Sequence, residues 1–206
     1  MRFIGDIHGT VHKKLYDKAI EGCDKSIQVG DLGLGFSDGD VKGMFKGVDT
    51  SKHFFIRGNH DNPEVCEEQV NHIDSGQSDD HGIFFVNGGW SIDGPDCPWD
   101  CGRTPNKNWW DNEEHDEACL EDLIQEYEKC KPQIVVTHEA PWTITNLMFN
   151  PQPRWISRTA DTLQKMLNIH QPELWIFGHW HIRKDIVSNG TRFICLEEGG
   201  IVDIDI

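Results

Sequence analysis

The sequence predicts an α/β fold, on two observations. In the first sixty residues short apolar runs are each followed by a turn containing Gly and Asp or His, and then by a polar, helix-like stretch. The second half repeats the alternation with two more apolar runs, each behind a helix-like segment, which is the βαβ pattern.

Taken in order, the first strands expected are Arg2 to Ile4 before Gly5-Asp6-Ile7-His8-Gly9, Ser26 to Val29 before Gly30-Asp31-Leu32-Gly33, and His53 to Ile56 before Gly58-Asn59-His60-Asp61. Ile83 to Val86 supplies another, after a polar stretch from Asp74 to Gly82. Helices over about Glu113 to Lys129 and Ile156 to Asn168 precede strands at Gln133 to Val136, which leads into Thr137-His138, and Glu173 to Phe177, which leads into Gly178-His179-Trp180-His181. The last pieces, Lys184 to Val187, Thr191 to Leu196 and Ile201 to Ile204, read as short antiparallel strands. The Asn189-Gly190-Thr191 sequon reads as a turn between two of them.

Between these elements, the segment from Asn87 to Asn112 has no period and carries four of the eight tryptophans. Two readings stand for it: a surface loop pinned by its own aromatics, or a rim that contacts substrate.

At 206 residues and 37% hydrophobic composition, residues 1–206 are expected to form one domain with a substantial core. No basic stretch leads into an apolar run at the start, and no apolar run approaches the roughly 20 residues of a spanning helix, so neither secretion nor a membrane is expected. Seven cysteines, an odd number spread over the whole chain, suit a reducing cytoplasm, the host's if the chain is phage-borne. Cys97 and Cys101, with His115 and Cys119 downstream, leave a small zinc site open beside the reading of free thiols. The net charge of −16, from 35 acidic and 19 basic side chains, repels a polyanion and disfavours long nucleic acid. A small anion remains admissible, because two bound dications would return about four positive charges locally.

Open α/β sheets bind ligands outside the carboxyl ends of their strands, so five polar turns at five strand ends can converge on one crevice. Their inventory is Asp6, His8, Asp31, Asn59, His60, Asp61, His138, His179 and His181, a carboxylate, imidazole and amide set suited to borderline cations. Asp6 and His8, like His179 and His181, stand at i and i+2, which is chelate spacing if the backbone there is extended. The flanking glycines permit tight turns and close approach. His12, His53, His72, His81, His115 and His170 read as surface or packed histidines, and Trp109, Trp110 and Trp142 as anchors of core or loop.

Together these strings, GDIHG at Gly5 to Gly9, GDLG at Gly30 to Gly33, GNHD at Gly58 to Asp61, TH at Thr137-His138 and GHWH at Gly178 to His181, resemble the calcineurin-like metallophosphoesterase superfamily in content and order. The resemblance implies a four-layer αββα sandwich of two mixed sheets flanked by helices. It implies that Asp6, His8, Asp31 and His181 hold one divalent metal, that Asp31, Asn59, His138 and His179 hold a second, and that Asp31 bridges them. It further implies that a hydroxide between the metals hydrolyses a phosphate ester, with His60 as general acid and Asp61 accepting a hydrogen bond from its other ring nitrogen. Mn²⁺ is the expected metal, with Fe²⁺, Zn²⁺ and Ni²⁺ compatible with the same ligands.

The second motif lacks the Asp-Arg-Gly extension of the Ser/Thr protein phosphatase branch, and the third ends in Asp61 where those enzymes have Glu. A small phosphodiester or phosphomonoester such as a nucleotide is therefore the expected substrate. Protein phosphatase activity, nuclease activity and a non-catalytic metal-binding scaffold are the alternatives. Gly88-Gly89-Trp90-Ser91-Ile92-Asp93, Arg103, Trp109-Trp110 and Glu113 look like a pattern of small bacterial and phage members. Arg103 is a candidate to fork onto a phosphate oxygen, and its other reading is a solvated arginine or a salt bridge to one of the many nearby acids.

Overall fold

Successive strand residues point to opposite faces, so a strand that is apolar at every position must be covered on both sides. The computed structural model, which describes residues 1–38, 41–76, 82–94, 101–150 and 157–206, shows that consequence. Its strands are Arg2–Ile4 (β1), Ser26–Val29 (β2), His53–Ile56 (β3), Ile83–Val86 (β4), Ile134–Thr137 (β5), Leu174–Phe177 (β6), Lys184–Ser188 (β7), Thr191–Cys195 (β8) and Ile201–Asp203 (β9). The helices are Lys13–Ile20 (α1), Val41–Phe45 (α2), Pro63–Glu67 (α3), Glu117–Cys130 (α4), Trp142–Phe149 (α5) and Arg158–Ile169 (α6). One mixed sheet has the order β3-β2-β1-β9, the other β4-β5-β6-β8-β7, with β9 and β7 the antiparallel members.

Three apolar clusters hold these layers together. Phe3, Ile27, Val29 and Ile56 of the first sheet meet Ile83, Phe85, Val136, Ile176 and Ile194 of the second, which fills the space between the sheets. The alternate residues of the second sheet, Phe84, Val86, Val135, Trp175, Phe177 and Phe193, face Leu120, Leu123, Tyr127, Leu163 and Met166 of α4 and α6. On the outer face of the first sheet, Ile4 and Phe55 pack with Tyr16, Ala19, Met44 and Cys66 of α1 to α3. Each fully buried aromatic or large aliphatic contributes about 1.5–3 kcal/mol. The arrangement is helices, sheet, sheet, helices.

Three sequence expectations change. The helix expected from Glu113 begins at Glu117, capped by Asp116, whose carboxylate accepts from the Cys119 N–H. Glu114 turns inward instead, accepting from Ser157 Oγ and the Thr159 N–H at the start of α6. That helix starts at Arg158; Ile156, expected as its first residue, lies outside the described residues. Among the last three strands only β7 and β8 form an antiparallel hairpin, through Asn189 (φ 50°) and Gly190 (φ 89°); β8 runs parallel to β6, and β9 leaves to pair with β1.

Helix α4 ends at Lys131, held in the left-handed region (φ 44°) with its N–H on Tyr127 O at 2.9 Å. A side chain is strained there and glycine is not. Lys131→Gly is expected to raise stability by about 0.5–1 kcal/mol, read as a higher urea midpoint at unchanged slope. A lower midpoint would contradict the strain.

Candidate metal centre

The polar turns after β1, β2, β3, β5 and β6 open on one side of the paired sheets, and one carboxylate ties two of them together. Asp61, fully buried, accepts from the backbone N–H of Leu32, Gly33 and Leu34 in the turn after β2 and from Gly58 N–H in the turn after β3. This departs from the sequence expectation, because Asp61 takes no hydrogen bond from the His60 ring. Burial and the neighbouring Asp31 push the Asp61 carboxyl up to about 6, against the pull of its backbone donors.

The turns bring seven of the motif side chains into two adjoining groups. In the first, His181 Nε2 lies 3.1 Å from Asp6 Oδ2 and 3.0 Å from His8 Nε2, and His8 Nε2 lies 4.0 Å from Asp31 Oδ2. The ligand atoms of these four residues all fall within 4.8 Å of one another. In the second, Asn59 Oδ1 is 3.0 Å from both His138 Nε2 and His179 Nδ1, and the other Asp31 oxygen lies 3.3 Å from His138 Nε2. Asp31 therefore turns one oxygen to each group. Donors around one cation with bonds of about 2.0–2.2 Å lie roughly 3.0–3.5 Å apart, so the closest pairs here have the spacing of a coordination shell.

Backbone strain marks the same residues. His8 (φ 58°), Asp31 (φ 58°), His179 (φ 68°) and His181 (φ 53°) are all left-handed. The extended backbone expected for His179 and His181 is thus absent, and the left-handed turn aims the two imidazoles into different groups. Glycine is needed where backbone meets ligand: a Cβ at Gly58 would sit 2.2 Å from Asp31 Oδ1, and one at Gly178 2.2 Å from Asp6 Oδ1.

Partners outside the groups fix which nitrogen faces in. His138 Nδ1 is on Val29 O at 3.0 Å, His179 Nε2 lies 3.3 Å from the buried Glu139 carboxylate, and His181 Nδ1 lies 3.3 Å from Glu198. Burial opposes charge on His138, but Asp31 and Asp6 push its imidazole up to about 10. Burial likewise opposes charge on Asp31, yet His138 and His60 hold it well below the carboxylate range.

The model of the calcineurin-like phosphoesterase family matches residues 2–183. The chain belongs to that family. Membership implies phosphoester hydrolysis, and the family uses divalent metals. No curated protein matches the chain. Among solved structures it is similar to "GAP50 the anchor in the inner membrane complex of Plasmodium", at 16% identity and TM-score 0.54, covering 97% of this chain and 72% of that one. It is also similar to phosphopantetheinyl hydrolase from Mycobacterium tuberculosis, at 14% identity and TM-score 0.54, covering 96% and 89%. At such identities the likeness shows a shared fold.

Arg103, in the segment from Asn87 to Asn112, reaches His60 of the turn after β3. Arg103, its side chain almost buried, makes a forked bond to Asp93 (2.8 and 2.7 Å), donates to Asn108 O, and brings Nη2 to 2.7 Å from His60 Nε2. Arg103 is thus salt-bridged to Asp93. His60 stacks on Phe36 with ring centroids 4.8 Å apart, and the Arg103 guanidinium lies 5.1 Å from the centre of the same Phe36 ring. Burial, then Arg103 and His8, pull the His60 imidazole down to about 4, so at neutral pH it is uncharged and accepts from Arg103. Trp110 is buried, as expected of an anchor. Of the zinc alternative, Cys97 lies outside the described residues and the His115 ring is bonded to Ser75 Oγ at 2.7 Å. His53, His72 and His170 also have ordinary partners in Ser26, Asn87 and Pro132, His12 is exposed, and His81 lies outside the described residues.

Sequence reading missed Glu139 and Glu198 as imidazole partners and Phe36 as the platform for His60. Glu139 alone carried a signal, following directly on Thr137-His138. Replacing Asp61 by Asn would set amide hydrogens against backbone donors. Asp61→Asn is expected to cost about 2–4 kcal/mol in urea unfolding, since at least two buried N–H groups lose their acceptor. An unchanged midpoint would mean that Asp61 does not hold the two turns together.

Proposed function

We propose that the protein is a dimetal hydrolase of small phosphate esters, with Asp6, His8, Asp31 and His181 holding one divalent cation and Asp31, Asn59, His138 and His179 the other. The observation that carries this reading is the Asp31 carboxylate, buried, strained and turned with one oxygen to each of two donor groups that have coordination spacing. Bound there, two cations supply Lewis acidity, lowering the pKa of water and neutralising charge on phosphoryl oxygens. Mn²⁺ is our first candidate for both.

The chain's own groups do the rest. Arg103 holds the His60 ring in place until a phosphate oxygen, a better acceptor, draws the guanidinium N–H away from Nε2; that nitrogen then takes up a proton from solvent and His60, as imidazolium, gives it to the leaving oxygen. Asp61 acts through the backbone by holding the two turns that carry Asp31 and Asn59. The charge of −16 favours a small substrate, such as a nucleotide, over a long polyanion.

A scaffold role is the second reading, because a protein described as an anchor shares this fold, and fold alone does not give function. The complete donor set and its strained backbone weigh against it, since neither serves a scaffold.

With Mn²⁺ the protein is expected to release p-nitrophenol from bis(p-nitrophenyl) phosphate or p-nitrophenyl phosphate. His60→Ala should lower kcat by about 10²-fold or more while metal content holds, and Arg103→Lys should lower kcat/KM by about tenfold or more because the fork is lost. Metal-replete protein inactive on both esters and on a nucleotide panel would sink the hydrolase reading. Asp31 and Asp6 raise the proton affinity of His138 against the effect of its burial, so cation uptake should displace a proton there. Mn²⁺ binding in weak buffer should therefore release protons, and affinity should climb between about pH 6 and pH 9 on the order of the factor that deprotonation supplies. Affinity flat with pH would contradict the displacement.

A further inference from the structure

Behind the second donor group lies a buried polar chain that the assigned roles do not use. Asn59 Nδ2 is 2.9 Å from Ser91 Oγ, and Ser91 Oγ is 2.7 Å from Glu113 Oε2. The Ser91 backbone N–H bonds the other carboxylate oxygen, Oε1, at 2.7 Å. All three residues are at most 4% exposed. Glu113 is itself held from the turn that carries Asn59, because Arg57 Nη1 donates to Glu113 O at 2.8 Å.

Resting on the two-cation reading above, we propose that Ser91 and Glu113 are positioning residues that lock the Asn59 amide with its oxygen toward His138 and His179, and that this lock is what lets the second group hold a cation. The reason lies in the direction of the protons. Burial pushes the Glu113 carboxyl up to about 7 against the pull of its two bonds from Ser91, and above that pH it is a carboxylate that only accepts; a serine hydroxyl has one hydrogen, so Ser91 then gives it to Glu113 and can only accept from Asn59. The Asn59 NH₂ must then face Ser91, which leaves Oδ1 3.0 Å from His138 Nε2 and from His179 Nδ1. Turned over, the amide would set an NH₂ where a cation must sit and an oxygen against the Ser91 lone pairs. A carboxylate at position 59 would need no such lock; an amide does.

Glu113→Gln is the sharpest test. The Ser91 backbone N–H requires the new amide's oxygen, so its NH₂ falls opposite Ser91 Oγ, the hydroxyl turns to donate to Asn59, and the Asn59 amide inverts. Equilibrium dialysis of Mn²⁺ against chelator-stripped protein at about pH 8, where Glu113 is ionised, should find two ions per chain in the parent. In Glu113→Gln and in Ser91→Ala one ion should weaken by about 10- to 100-fold while the other keeps its affinity. Adding Asn59→Asp to either variant should restore the weakened ion, because a carboxylate offers an oxygen in both orientations. Thermal unfolding of the metal-free forms checks folding, and Ser91→Ala, which removes a single oxygen, carries the test if Glu113→Gln does not fold. Variants that keep both ions at parental affinity, that lose both equally, or that Asn59→Asp does not rescue overturn the lock alone. A parent that takes up fewer than two ions sinks the two-cation reading and the lock with it.

Discussion

The centre depends first on the carboxylate of Asp61. Four backbone N–H groups from two separate turns end on its two oxygens in a site closed to water. Each of those donors would otherwise cost about 1–3 kcal/mol as an unsatisfied buried group. The turn after β2 carries Asp31 and the turn after β3 carries Asn59, so one side chain sets the distance between the shared carboxylate and the amide. The His60 N–H on Asp31 Oδ1, at 2.7 Å, closes the same unit.

That unit sustains a backbone that local energetics oppose. Each left-handed residue other than glycine costs about 1–2 kcal/mol, and four of the motif residues adopt that conformation. The strain is offset by the packing beneath, where the sheets interdigitate and helices cover both outer faces. Rigid strands end abruptly and the strained turns begin at once, so donor atoms are fixed by elements that cannot drift.

How much of this was legible in the sequence follows from which forces are local. Strands such as β4 and β6 could be read because both faces are buried, which leaves an unbroken apolar run. Helix α5 could not, since Thr143, Ile144 and Thr145 are β-branched and the helix relies on burial of Ile144 and Met148 and on Gln164, which takes the Thr143 N–H. The terminal strands were visible, but not their partners, because the β9 to β1 pairing is decided across the whole chain. The motif residues could be read as a set that comes together, as their chemistry and glycine flanks are local. The task of Asp61 could not, because a carboxylate bound to backbone leaves no trace in other side chains. Ser91 and Glu113 are ordinary residues whose meaning depends on where an aperiodic loop comes to rest.

The donors come from both sheets: Asp6, His8, Asp31 and Asn59 follow strands of the first, His138, His179 and His181 strands of the second. The bond from His179 N–H to Asp6 joins residues 173 apart in sequence. Loops of that length close slowly, and contacts across them form late. During synthesis the amino-terminal donors therefore emerge long before their partners, and no half of the centre can be assembled ahead of the other. The site is completed only when the second sheet docks on the first, which makes it a marker of the finished fold.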